Sequence, residues 1–176
     1  RIGWRETEEP RTRTAMARPS YEAMFDTLAQ VAVLDAPLSH DATADAARVL
    51  RALISGRSYS LVRAFAGPAV LELSATHGSR TVAMGERIAW PGDGGTPVQI
   101  DARVSDAPGT SLTLYANGQP IARDTGALTR TVSTPGVYRV EASWPGMDAP
   151  WLVSNPIAIE TPASGPPPAP APQLGA

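Results

Sequence analysis

From Gly56 onward the apolar residues recur every second position, and that change of period constrains the fold more than any other feature of the chain. In VQIDARV, Val98, Ile100, Ala102 and Val104 fall on one side of an extended chain while Gln99, Asp101 and Arg103 fall on the other. Successive side chains of a strand point to opposite faces, so this segment requires one dry and one wet side. VYRVEASW repeats the pattern, with Tyr138, Val140, Ala142 and Trp144 one way and Arg139, Glu141 and Ser143 the other. SYSLVRAF, AVLELSAT, SLTLY and LTRTV read as further strands. Asn117-Gly118 supplies the positive φ that a two-residue hairpin turn demands, and AWPGDGGTP and Thr134 to Gly136 are dense in turn formers. About seven short strands at regular spacing predict a mainly β fold, a β-sandwich of immunoglobulin-like kind.

The last apolar stretch, PWLVSNPIAIE, carries an interruption. Val153, Ile157 and Ile159 are expected to pack inward, with Trp151 covering the core or a neighbouring domain. Pro156 has no N–H for a ladder, which predicts an edge position or a bulge.

Before Gly56 the period is helical. In HDATADAARVLRALISG, Asp41 stands where an N-cap belongs, Ala46, Val49, Leu50, Leu53 and Ile54 form one apolar stripe, and Gly56 marks the stop. The stripe is expected to dock on a partner surface through Leu50, Leu53 and Ile54. Tyr21, Met24, Phe25 and Leu28 have the spacing of a second, shorter helix, and Val31 to Leu34 reads as extended. Arg5 to Pro19 is a polar, doubly charged loop, and Thr161 to Ala176 is a Pro/Ala-rich tail expected to be disordered.

Composition narrows the function. All fifteen basic residues are Arg, against seventeen acids, for a formal charge of -2. That balance gives no footprint for nucleic acid or an anionic membrane, and no apolar run approaches the roughly 20 residues that span a bilayer. The absence of cysteine excludes disulfides, thiolate zinc sites and Cys nucleophiles. The N-terminus RIGWRETEEP lacks both Met and a signal-peptide core, as expected of a fragment or processed product.

No residue of the chain is assigned to catalysis or to a metal, and no cofactor is expected in it. SHDATAD, with His40, Asp41 and Asp45, comes nearest to a ligand set, but Asp41 as a helix cap explains it more simply; His77, the other histidine, is 37 residues away. No G-x-S-x-G accompanies the serines, and Gly92 to Gly95 lacks the Lys-Ser/Thr of a phosphate loop. Arg5, Arg11 and Arg13 are candidate anion contacts, set against the plainer reading of Glu6, Glu8, Glu9, Arg11, Arg13 and Arg18 as a solvated loop.

The series RIGWR (Arg1 to Arg5), PSYEAMFDTLAQ (Pro19 to Gln30), LDAPLSHDATADAARVLRALISGRSY (Leu34 to Tyr59), PGVYRVEA (Pro135 to Ala142) and PWLVSNPI (Pro150 to Ile157) resembles the C-terminal portion of PHP-type metallohydrolases of the CehA/McbA-like branch. The resemblance implies that residues 1–66 close a metal-binding barrel, that 67–160 form an accessory sandwich, and that 161–176 trail behind. It also implies divalent metals and their His, Asp and Glu ligands in an upstream domain, the partner in cis, acting on phosphoesters or related esters and carbamates. None of those ligands is in this chain. The other reading is an independent binding module for carbohydrate or protein, with Trp90, Trp144 and Trp151 as aromatic platforms. A Trp in a small sandwich more often serves the core, and the helical stretch from Ser20 to Gly56 favours the first reading.

Overall fold

The computed structural model describes residues 27–63, 69–92, 95–147 and 149–161. In chain order the described elements begin with β1 (Leu28–Ala32), α1 (Ala42–Ile54), β2 (Ser58–Val62), β3 (Val70–His77), β4 (Arg80–Ala83) and β5 (Arg87–Ala89). They continue with β6 (Val98–Ser105), β7 (Ser111–Ala116), β8 (Gln119–Thr125), β9 (Ala127–Val132), β10 (Gly136–Ser143), β11 (Pro150–Ser154) and β12 (Ile157–Glu160). The protein is mainly β. The strands outnumber those expected because β4 and β5 are too short to show an alternation, and because the final apolar stretch is two strands.

Two sheets share the strands. One runs β4-β3-β6-β9; the other runs β1-β2-β11-β10-β12-β5, with β7 on the opposite edge of β10 and β8 beyond it. Every pairing is antiparallel except β12 with β5. Val98, Ile100, Ala102 and Val104 of β6 are buried, and so are Tyr138, Val140 and Ala142 of β10, as their alternation predicts. Both sheets feed one core cluster. Removing a Leu or Ile side chain from water contributes on the order of 1.5–3 kcal/mol, so this shared interior is the main source of stability.

The described part of residues 1–66 belongs to that interior. β1 pairs with β2, β2 pairs with β11, and Tyr59 and Leu61 of β2 lie in the same cluster as the rest. No gap in packing separates it from the described part of 67–160. Leu28 is a strand residue, 69% exposed, rather than the end of a helical stripe. Tyr21, Met24 and Phe25 lie outside the described residues, as do the loop at 5–19 and the tail from residue 162.

The Ser-Asn-Pro interruption is a β-bulge. β11 pairs with the end of β10, Glu141 opposite Val153, and β12 pairs with its start, Tyr138 opposite Ile157. Between those pairs β10 has two residues, Arg139 and Val140, and the bulged strand has three, Ser154, Asn155 and Pro156. The extra residue shifts the parity, so Leu152 joins Ile157 and Ile159 in the core and Val153, expected inside, is only half-buried. It also deprives Val140 of a backbone partner. The buried Ser154 hydroxyl accepts that N–H at 2.8 Å, which avoids the cost of an orphaned buried donor, about 1–3 kcal/mol.

The helix forms where expected and faces the other way. Asp41 caps it, its carboxylate accepting from the backbone of Thr43 and Ala44 at 2.9 and 3.0 Å. Leu50, Leu53 and Ile54, expected to dock, are 58%, 39% and 85% exposed, and Ala52 is the buried residue of the helix. Its roll is fixed by polar clamps. Arg48 reaches the Pro37 carbonyl at 2.7 Å and pairs with Asp35 and Asp45. The Asp45 carboxylate accepts from the Ser39 and His40 backbone. Asp45, Arg48 and Ala52 therefore share the inward side, and the larger apolar residues are turned outward.

Candidate functional site

Two surface features hold more than packing. The first is a groove of about 450 Å³ on the outer face of β7, β8 and β10, lined by Thr113, Tyr115, Pro120, Ala122, Arg123, Glu141 and Ser143. The alternation that sends Leu112, Leu114, Val140 and Ala142 into the core sends Thr113, Tyr115, Glu141 and Ser143 to this face. The register sets them in rows. Arg123, Thr113 and Glu141 form one row, and Pro120, Tyr115 and Arg139 the next.

The charges of the groove are partly committed. Arg139 lies over the Tyr115 ring, 4.6 Å from its centroid, and its guanidinium donates to Glu141 at 2.6 Å. Arg123 donates from Nε to the Ser111 hydroxyl at 2.6 Å. Desolvation first, and then the Glu141 carboxylate, push the Tyr115 phenol above its ordinary value, so it is neutral at physiological pH. The groove has donors, acceptors and one aromatic ring, but no nucleophile paired with a base.

The second feature is the junction of the C-terminal end of α1 with the two sheets. Asn155 in the bulge donates from Nδ2 to the buried Ser58 hydroxyl at 2.8 Å, and Gln30 of β1 donates to the same oxygen at 2.8 Å. The Gly85 N–H meets the Pro156 carbonyl at 2.9 Å. Gly56, at φ +73°, ends the helix, and a Cβ there would lie 3.0 Å from the Gly85 Cα. At Gly85, φ +86°, a Cβ would run into the Ser55 oxygen and the Gly56 carbonyl carbon. Only glycine permits that approach of backbones. Ile54 projects beside the crossing and lines clefts on both sides of it, one with Val137, Pro156 and Ala158 and one with Asp35, Arg57 and Glu86.

The residues singled out from sequence are dispersed. Trp151 is 1% exposed, Trp90 is buried, and half-buried Trp144 meets Trp151 edge to face at 5.4 Å. Buried rings offer a ligand no open face, so Trp90 and Trp151 are packing residues, while Trp144 keeps part of its surface open; the Trp151 Nε1 has no hydrogen-bond partner among the described residues. Arg5, Arg11 and Arg13 lie outside the described residues. Asp41 and Asp45 spend their carboxylates on backbone N–H groups, as the helix-cap reading of SHDATAD requires. Among the described residues no three His, Cys, Asp or Glu side chains gather as a metal would need, and no helix is long and apolar enough to cross a membrane.

The groove escaped notice in the sequence because its walls come from strands whose neighbours are set by topology. Half of it was readable. The alternation places Arg139, Glu141 and Ser143 on one face, and the Asn117-Gly118 turn implies that β8 folds back on β7, but nothing local says that β7 lies beside β10. No family model, curated protein or solved structure matches the chain.

Proposed function

We propose that the chain is the non-catalytic C-terminal part of a metal-dependent hydrolase, an immunoglobulin-like domain that supports an upstream catalytic domain. The observation that carries this reading is the outward stripe of Leu50, Leu53 and Ile54, a large apolar helix face left in solvent. Contiguous exposed apolar surface is a mark of interaction sites. The class of the parent rests on the resemblance of the five segments from Arg1 to Ile157, which points to PHP-type enzymes acting on phosphoesters, other esters or carbamates with divalent metals.

Two features support the immunoglobulin-like assignment. β10 lies between β7 and the bulged β11–β12 pair, with β8 outside β7, the arrangement of the larger sheet in such domains. The Tyr138 hydroxyl donates to the Thr134 carbonyl at 2.7 Å, four residues back, as in a tyrosine corner. The inter-sheet disulfide of antibody domains has no counterpart, since cysteine is absent.

The test has two arms. Residues encoded upstream of Arg1 should contain an Asp-x-His and further His pairs; an upstream region without them removes the hydrolase. In the longer protein, Leu53→Asp with Ile54→Asp should lower the thermal stability of hydrolysis while leaving the melting of this chain alone unchanged. Equal melting of the longer protein and its variant would remove the docking role.

A further inference from the structure

We infer that the groove on β7, β8 and β10 is a binding site for a neutral polyhydroxylated ligand, an oligosaccharide. This goes beyond the docking role and does not depend on it: the groove is on the outer face of one sheet, and none of its lining residues belongs to the helix.

The argument starts from the row Arg123, Thr113 and Glu141. Arg123 is paired in register with Thr113 on one side, and Glu141 with Thr113 on the other. Two strand spacings, about 10 Å, therefore separate the backbones that carry a guanidinium and a carboxylate, with a small hydroxyl residue between them. Ser111 and Ser143 stand opposite each other in the next row and extend this hydroxylated floor. Pro120 and Tyr115 close the other end. A volume of about 450 Å³ lies within the range of small-molecule sites.

Charge decides the class. Arg139 is engaged with Glu141 and the Tyr115 ring, which leaves Arg123 as the cation with uncommitted terminal N–H groups. A cation drawn to Glu141 would face two guanidiniums, and an anion drawn to Arg123 would find a single uncommitted guanidinium, with the Glu141 carboxylate, offset in part by Arg139, across the floor. A sugar meets neither penalty. Its hydroxyls donate to the carboxylate and accept from the guanidinium, both charge-assisted bonds, and the same hydroxyls can exchange roles with Thr113 and Ser143. The Tyr115 phenol stays protonated with its hydrogen bond to Glu141, and its oxygen adds one more acceptor.

Cellotetraose, maltotetraose, xylotetraose and a tetraglutamate peptide, each added to the isotopically labelled chain, test the proposal through backbone amide shifts. At least one of the three sugars should shift Thr113, Arg123 and Ser143 and saturate at about millimolar concentration, near 4 kcal/mol of binding. Arg123→Met and, independently, Glu141→Gln should each weaken that sugar by about tenfold, the loss of one charged hydrogen bond. The two variants guard against a failure of either one to fold. Three outcomes would overturn the site: no saturable shift from any sugar at about 10 mM, saturation untouched by both variants, or Arg123-dependent binding of the peptide alone.

Discussion

The helix α1 and the bulged pair β11–β12 are both apolar segments read by period, yet one turns its large side chains to solvent and the other buries them. In the pair, Leu152, Ile157 and Ile159 are at most 1% exposed; in the helix, Ile54 is 85% exposed. Periodicity tells which residues share a side. It does not tell which side meets the core. β11 and β12 are held by β10, by β2 and by β5, so their apolar side has nowhere to go but inward. The helix is attached by clamps at one flank, through Asp45 and Arg48, and by the glycine crossing at its end, and no described residue covers its opposite flank, where Leu50, Leu53 and Ile54 are exposed.

The sharpest way to break this comparison is to truncate the same residue type in both regions. Ile157→Ala should cost about 2–5 kcal/mol, the usual range for emptying a core position. Ile54→Ala should change stability by no more than about 0.5 kcal/mol, as at a surface position. Paired urea melts decide it, and equal losses would mean that the helix face is covered.

Gly85→Ala tests the crossing that joins the two regions. The substitution forces a side chain into a positive φ and into the Gly56 backbone, so a loss of about 2–3 kcal/mol and a fall in melting temperature of roughly 4–10 °C are expected. A neutral result would show that the helix end does not approach the sheets so closely. The cap is a smaller lever: Asp41→Ala removes the acceptor for two N–H groups, and a loss of about 1 kcal/mol by denaturant titration is expected.

The smallest effect is in pH. Backbone hydrogen bonding from Ser39, the largest cause, then the Ser39 hydroxyl, the His40 N–H and Arg48 hold the Asp45 carboxyl below its ordinary value, against a desolvation that works the other way. A group depressed on folding stabilises above its unfolded pKa, and the contribution is lost as pH falls through the folded value. The Ser39–His40 lead-in should therefore loosen only below about pH 4, and Asp45→Asn should remove that acid step. Amide exchange at Ser39 and His40 reads it; an unaltered step would place its origin elsewhere.

The sheets were legible where a strand alternates over eight residues, as Val98 to Ser105 and Gly136 to Ser143 do, because one wet face leaves one register. The bulge was half-legible: Pro156 announces the irregularity, but the parity change that admits Leu152 and releases Val153 depends on which residues of β10 stand opposite. The turned helix was not legible, since Arg48 and Asp45 choose its roll through partners on the preceding loop. The groove residues Thr113, Arg123 and Glu141 come together through the placement of β7 between β8 and β10, a long-range fact that no local pattern states.

The absence of native cysteine provides the most direct measurement of the central claim, that the apolar face of α1 is open while the last strands are closed. Single cysteines introduced as Ile54→Cys and Ile157→Cys would be the sole thiols in their chains. Under native conditions the thiol at position 54 should react with a disulfide reagent within about tenfold of the rate of an unfolded control, and the thiol at 157 should react only as fast as the protein unfolds. Protection of position 54 equal to that of position 157 would contradict the account.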